Sequence, residues 1–198
     1  MEPKNNFEGI KIEIDIAKEK DLADIIKLQK QNLVSNISKE ERKQQGFVSV
    51  ETPLKLLEEI AKQEGIAIAR VKGRVVGYLM PMSVNHAKKV RLLDPFVERF
   101  KSIKFEGKDL NDYKYCILGQ VCIDKDYRGK GILEKLYEEL EKRLSKKYDL
   151  GVSEIGANNP RSLHAHLDKI GLKVAEQYSA DGRDWYIVIL DFRPHKSD

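Results

Sequence analysis

The chain has 198 residues, 41% of them hydrophobic and 34% charged, with 36 basic against 32 acidic side chains and a net charge of +4. That suits one domain of ordinary size, 1–198, with a real core. The charge excess is small and no basic run is interleaved with aromatics, which argues against a nucleic-acid partner. No apolar stretch approaches the roughly 20 residues that span a bilayer, and no apolar leader opens the chain. The two cysteines, Cys116 and Cys122, fit no zinc or redox spacing. No metal is expected, and the default location is the cytoplasm.

Residues 10–16, "IKIEIDI", alternate apolar and charged side chains, the period of a half-buried strand. Asp21 then offers a cap for a helix whose apolar positions are Leu22, Ile25, Ile26, Leu28 and Leu33. A polar stretch, 37–47, ends near Gly46. Residues 49–65 read as a second helix with Leu54, Leu57 and Ile60 on one side and Gly65 as its stop. Two apolar runs then flank Lys72-Gly73, a hairpin signal. Residues 84–112 are the least regular part: "VRLLDPFVERF" reads as a short helix broken near Pro95 and "EGKDLNDY" as a loop.

"YCILGQVCI", 115–123, is nearly continuous in apolar residues and so reads as a central strand covered on both faces. A helix follows, preceded by "DKDYRGKG" and running to about Tyr148. Residues 150–157 form another strand. A helix over 158–172 starts with cap-forming asparagines, tolerates Pro160 in its first turn and ends at Gly171. A final hairpin turns at Asp181-Gly182. The order β-α-α-β-β-insert-β-α-β-α-β-β describes a mixed α/β domain.

The loop before the long helix carries the chemistry. A helix start leaves four N–H groups unpaired, and the aligned peptide dipoles add about half a positive charge there. A phosphate satisfies both. Gly129 and Gly131 let the backbone approach such an anion closely. The stretch is not a P-loop, because Lys130 is followed by Gly131 in place of Ser or Thr, and Glu134 stands where a dinucleotide fingerprint needs its third glycine. By itself Arg-Gly-Lys-Gly reads equally as a solvated basic turn.

With its strand, "LGQVCIDKDYRGKGI" resembles the central acyl-CoA-binding motif of the GNAT superfamily of acyl-CoA N-acyltransferases, Gln/Arg-x-x-Gly-x-Gly/Ala after a strand. Arg128, Gly131 and Leu133 occupy its three signature positions. Leu133 departs from it, a bulky residue where a small one is usual. The first strand and helix, the hairpin and the "NNPRSL" helix follow the order of that superfamily, with 84–112 as a subfamily insert covering an acceptor site. The resemblance implies a GNAT fold: a mixed central sheet flanked by helices, with a splayed central strand pair. It also implies acetyl-CoA as co-substrate and acetyl transfer to a small-molecule or peptide amine. Because dimers are common in that superfamily, a homodimer is a further expectation.

The same resemblance distributes the roles. The backbone of Arg128, Gly129, Lys130, Gly131, Ile132, Leu133 and Glu134 would hold the pyrophosphate. Val121, Cys122 and Ile123 would face the pantetheine and acetyl group, and Asn159 and Ser162 the pantetheine arm. Asp124 and Glu154 are the candidate bases, Asp124 reading more readily as a turn cap. Many members place a tyrosine acid in the helix after the last parallel strand, and this helix has none. Counted forward from Asn159, His166 stands at that position; counted back from Gly171, Leu167 does. Gln120 reads either as an acceptor-orienting or as a buried hydrogen-bonding residue. Phe47, Met80, Met82, Phe96, Trp185 and Tyr186 are candidates for the acceptor wall or for core. The missing tyrosine keeps open a second reading, a CoA-binding regulatory domain without turnover.

Overall fold

The computed structural model describes residues 11–44, 46–180 and 182–194. Residues 1–10, with Ile10 of the first expected strand, and Asp181 of the last expected turn lie outside them. The alternating segment forms strand β1 (Glu13–Ile16) and the helix after it is α1 (Leu22–Asn32). Asp21 does not cap that helix with its side chain. Its carboxylate accepts from the Lys18 N–H at 2.8 Å and from Arg70 at 2.6 and 3.2 Å. Two charge-assisted bonds to a guanidinium are stronger than one bond to a neutral helix N–H, which decides where this buried carboxylate turns.

The polar stretch carries helix α2 (Lys39–Gln44), and α3 (Leu54–Gln63) starts behind Pro53. Leu56, Leu57 and Ile60 are its buried residues, whereas Leu54, expected among them, is 49% exposed. At about 100° per residue, the arc through 56, 57 and 60 leaves 54 to one side. Strands β2 (Ala67–Val71) and β3 (Arg74–Met82) pair as the expected hairpin about Lys72-Gly73.

Residues 84–112 are more regular than their sequence suggests. They hold α4 (Val84–Ala87), α5 (Asp94–Arg99) and a small hairpin of β4 (Lys104–Phe105) and β5 (Lys108–Asp109). Pro95 opens α5 rather than breaking it, because a first-turn residue needs no N–H. The supposed "EGKDLNDY" loop contains the turn and second strand of that hairpin.

The rest of the fold follows the expected order: β6 (Tyr115–Ile123), α6 (Ile132–Leu144), β7 (Leu150–Gly156), α7 (Pro160–His164), β8 (Lys173–Ala180) and β9 (Arg183–Asp191). After His164, α7 continues as a π-helical stretch, Ala165–Ile170. Seven strands make one sheet in the order β1-β2-β3-β6-β7-β9-β8. Of its six strand pairings only β6–β7 is parallel. One face packs Ile25 and Leu28 of α1, Leu57 and Ile60 of α3, and Phe96 and Phe100 of the 84–112 region. The other packs Leu136, Tyr137, Leu140 and Leu144 of α6. Burying each such side chain stabilises the fold by roughly 1.5–3 kcal/mol. The result is the mixed, helix-flanked sheet that the resemblance implied, and its central pair is splayed.

Candidate active site

β6 and β7 are paired only at Tyr115–Leu150, Cys116–Gly151 and Ile117–Val152. One position further, the Ser153 hydroxyl donates to the Leu118 carbonyl at 2.9 Å and closes the crotch of a fork. Beyond it each strand is held only on its outer edge: β6 by β3 as far as Ile123–Gly77, and β7 by β9 as far as Gly156–Trp185.

A bulge at Gly119 accompanies the divergence. Pro81 pairs with Leu118 and Met80 with Gln120, so Gly119 is the extra residue. Pro81 has no N–H to give the ladder, which makes this a natural place to lose register. A Cβ on Gly119 would stand 2.7 Å from Met82 Cε and 3.1 Å from the Met80 carbonyl. The bulge also resets the alternation of side chains. Ile117 and Cys122 both face the first core, although they are an odd number of residues apart.

The end of β6 aims backbone groups into the fork. The Asp124 N–H donates to the Val76 carbonyl at 2.8 Å. Antiparallel pairing alternates, so the backbone groups of Val121 and Ile123 point away from β3, toward the opening. The Ile123 carbonyl accepts there from Arg128 Nε at 2.8 Å.

The loop that follows turns its cations inward. Arg128 also donates from Nη2 to Asn32 Oδ1 at 2.8 Å, bracing the end of β6 against α1. Lys130 Nζ donates to the Asp126 carbonyl at 2.6 Å and lies 4.9 Å above the Tyr127 ring. Asp124 is a turn cap, accepting from the Asp126 N–H at 3.1 Å. Gly129 (φ 75°) and Gly131 (φ 70°) are left-handed, and a Cβ on either would meet no atom within 4 Å. Gly131 caps α6 without a side-chain bond. The first N–H groups of α6 are therefore the donors offered at this point, together with the helix dipole.

An open cleft of about 160 Å³ lies beside them. Val121, Cys122, Ile123, Arg128, Gly129, Gly131, Ile132, Leu133 and Glu134 line one side, Asn159, Arg161, Ser162, Ala165, His166 and Lys169 another, and Gly46, Phe47 and Val48 a third. Every residue expected to bind the cofactor lines it except Lys130. His166 also lines it, and Glu154 does not. Phe47, expected on the acceptor side, faces this cleft instead, while Met80, Met82 and Phe96 are core. Leu133 lines the cleft too, so its bulk is accommodated at the rim.

Arg161, Ala165 and Lys169 were not anticipated. They carry a signal, because Ser162, Ala165, His166 and Lys169 recur at one helical face. Gly46–Val48 carry none. They arrive through a bridge in which the Val34 N–H donates to the Val48 carbonyl and the Val48 N–H to the Asn32 carbonyl, both at 2.9 Å.

Two polar groups of the cleft are informative. Asn159 Oδ1 is buried and accepts no hydrogen bond. His166 is 5% exposed, its Nδ1 lies 2.7 Å from the Ser162 carbonyl, and Tyr137 packs edge-on to its ring at 5.7 Å. A carbonyl only accepts, so Nδ1 carries the proton and Nε2 is left as an acceptor. Burial holds the His166 pKa down, and the imidazole is neutral rather than the imidazolium that an acid requires. Its π-helical setting explains the two counts along this segment. A π turn holds one residue more than an α turn, so counting from the two ends disagrees by one.

Burial pushes the Cys122 thiol up to about 12, which removes it as a nucleophile. Gln120 is half-buried and bonded at both ends of its amide: it accepts from Tyr78 Oη at 3.0 Å and donates to the Val50 carbonyl. Glu154 is half-buried on the other side of the fork, where Tyr178 Oη donates to it. Among the described residues no group of three or more His, Cys, Asp or Glu is placed to hold a metal, and no helix is long and apolar enough to cross a membrane.

Residues 33–172 match the sequence profile of the Acetyltransferase (GNAT) family. No curated protein matches the chain by sequence. Solved structures resemble it across nearly its whole length. One is an N-acetyltransferase from Staphylococcus aureus Mu50, with 19% identity over 92% of this chain and 99% of that one and a TM-score of 0.61. Another is yncA, a putative acetyltransferase from Salmonella typhimurium with its cofactor acetyl-CoA, at 16% identity, 95% and 98% coverage and a TM-score of 0.61. The ribosomal-protein-S18-alanine N-acetyltransferase from Escherichia coli is 14% identical, with 95% and 98% coverage and a TM-score of 0.56. At such identities the likeness is one of fold.

Proposed function

The chain belongs to the GNAT acetyltransferase family, and from that premise we propose that it transfers an acetyl group from acetyl-CoA directly to an amine of a small molecule or peptide. The observation that carries this reading is the fork. It opens between β6 and β7 onto the N-terminus of α6, with left-handed glycines and an unpartnered Asn159 Oδ1 along one cleft.

The residues fit CoA by their chemistry. The N–H groups of the first turn of α6 suit a pyrophosphate. Asn159 Oδ1 needs a donor, and the pantetheine arm carries amide N–H groups. A backbone N–H at Val121, aimed into the fork, suits the thioester carbonyl, where it would stabilise the negative charge that develops on oxygen. The attacking amine must lose a proton. Glu154, on β7 beyond its pairing with β6, is the carboxylate to take it, and His166, neutral, would enter through Nε2 as an acceptor.

Thiol release from acetyl-CoA, measured across a panel of amines, tests the proposal. Release that depends on an added amine supports it. Tight CoA binding with no release from any amine overturns it in favour of a CoA-binding module. Saturating CoA at about a hundred times its Kd should raise stability by about 2.7 kcal/mol in either case.

A further inference from the structure

On the sheet face away from α6, four side chains from three separate segments form one cluster beside the fork. Glu154 stands two positions beyond Val152, the last residue of β7 paired with β6. It is therefore opposite the bulged Gly119 in the register that the fork abandons. Its side chain follows Leu150 and Val152 onto the face of the first core. Tyr178 of β8 donates its hydroxyl to Glu154 Oε1. Arg99, the last residue of α5, lies 3.8 Å from the centre of the Tyr178 ring. It donates from Nε and Nη2 to the two oxygens of Glu176 at 2.9 and 2.6 Å. The Arg99 and Glu176 side chains are 34% and 31% exposed, so solvent reaches the cluster.

We propose that Arg99 and Tyr178 are positioning residues for Glu154, which takes the proton of the attacking amine, so that the 84–112 region belongs to the reaction centre through Arg99. This rests on the acetyl-transfer reading. In the step, the amine lone pair forms the C–N bond to the thioester carbon. The C–S bond breaks with its electron pair on sulfur. The N–H proton passes to the Glu154 carboxylate, directly or through water, and then to the CoA thiolate. The products are the N-acetylated amine and the free thiol, and the carboxylate is restored.

The arrangement suits that role. Tyr178 is held protonated, by its burial and by the carboxylate it serves, so it remains a donor. With Oε1 held, Oε2 is the oxygen left to take a proton. The bidentate pair with Glu176 fixes the Arg99 guanidinium over the ring. Burial raises the Glu154 pKa, and the Tyr178 bond and the Arg99 charge oppose that rise. The charged and titratable groups facing Glu154 are thus Tyr178 from β8 and Arg99 from α5, with Glu176 behind Arg99. From β9 its register partner is the apolar Ile187.

The test measures thiol release from acetyl-CoA with benzylamine, ethanolamine, spermidine and alanine amide as acceptors, from acid to alkaline pH. CoA affinity is measured on each variant alongside. Glu154→Gln should lower kcat about a hundredfold with CoA affinity unchanged. Tyr178→Phe and Arg99→Gln should each lower kcat about tenfold. Both should also move the acid limb of the pH profile to higher pH, because each removes a group that favours the ionised carboxylate. Arg99→Lys should return the limb part of the way. A purely structural network would lower stability and leave the limb in place. Wild-type turnover that persists undiminished in Glu154→Gln, or a limb unmoved in Tyr178→Phe, overturns the proposal and leaves acetyl transfer standing. If Arg99→Gln does not fold, Tyr178→Phe and Arg99→Lys decide. Absence of thiol release from the wild-type protein with all four amines, despite CoA binding, overturns the acetyl-transfer reading and this proposal with it.

Discussion

The two walls of the fork are built in different ways. The wall toward α6 is one run of chain, strand β6, a tight turn and the first turn of a helix, and what it offers is mostly backbone. The wall toward the 84–112 region is assembled from Arg99, Glu154, Glu176 and Tyr178, and it offers side chains. Backbone N–H groups are the same in every sequence, so the first wall depends on conformation alone. The second depends on residue identity and on long-range contacts that bring distant segments together. The difference teaches where to look for each kind of group: backbone donors in a local pattern, side-chain clusters in the tertiary arrangement.

The largest effect is expected where conformation is everything. Gly131→Asp places a carboxylate at a left-handed position beside the first N–H groups of α6. CoA binding should fall below detection by calorimetry. Gly131→Ala is the control, since it carries the same left-handed strain, about 1–2 kcal/mol, without the charge. It should lose stability and keep most of its affinity. Equal CoA binding by Gly131→Asp and wild type would show that this helix start is not the anion site.

Next in size is the brace. Arg128→Met deprives the Ile123 carbonyl and Asn32 Oδ1 of their donor. Leaving such acceptors unpaired costs about 1–3 kcal/mol, read as a lower denaturant midpoint. A loss of CoA affinity without loss of stability would instead make Arg128 a direct phosphate ligand, and the first wall would then depend on a side chain after all.

The contrast also explains what could be read from the sequence. Periodicity located β6 at Tyr115–Ile123 and the helix after it, because both are fixed by neighbours in sequence. It misplaced Asp21, whose carboxylate answers to Arg70 across the sheet, and Leu54, whose orientation depends on where α3 docks. The 84–112 region looked irregular because its elements are only two to six residues long, too short for any period to show. Glu154 was recognisable as a strand carboxylate. Its partners were not, since Arg99 and Tyr178 lie far from it along the chain and share no motif with it. The fork itself left one trace, Gly119 in a mostly apolar strand, and the reason it must be small lies in Met80 and Met82 of a different strand.

A smaller effect is expected at Asn159, on the α7 side of the same cleft, where a side chain is asked to bind. Its buried Oδ1 has no partner, so Asn159→Ala should leave stability unchanged or slightly higher while CoA affinity drops about tenfold. Stability and affinity falling together would mark Asn159 as structural.

The smallest effect concerns proton uptake on that same side of the cleft. Burial lowers the pKa of His166, and that of His86 elsewhere in the fold, from the ordinary 6.5. On acidification through that value the unfolded chain takes up protons on both imidazoles, while the folded chain resists. The unfolded state then binds more protons, so stability is lost as pH falls below about 6.5. His166→Gln removes one of the two contributions. Subtracting its denaturation free energies from those of the wild type, at pH values above and below 6.5, should leave a difference that shrinks toward acid. Glu154, whose raised pKa acts in the opposite sense, cancels in the subtraction. A difference independent of pH would mean that His166 titrates alike folded and unfolded. The neutral Nδ1–H imidazole, locked on the Ser162 carbonyl, would then be the wrong protonation state for this side of the cleft.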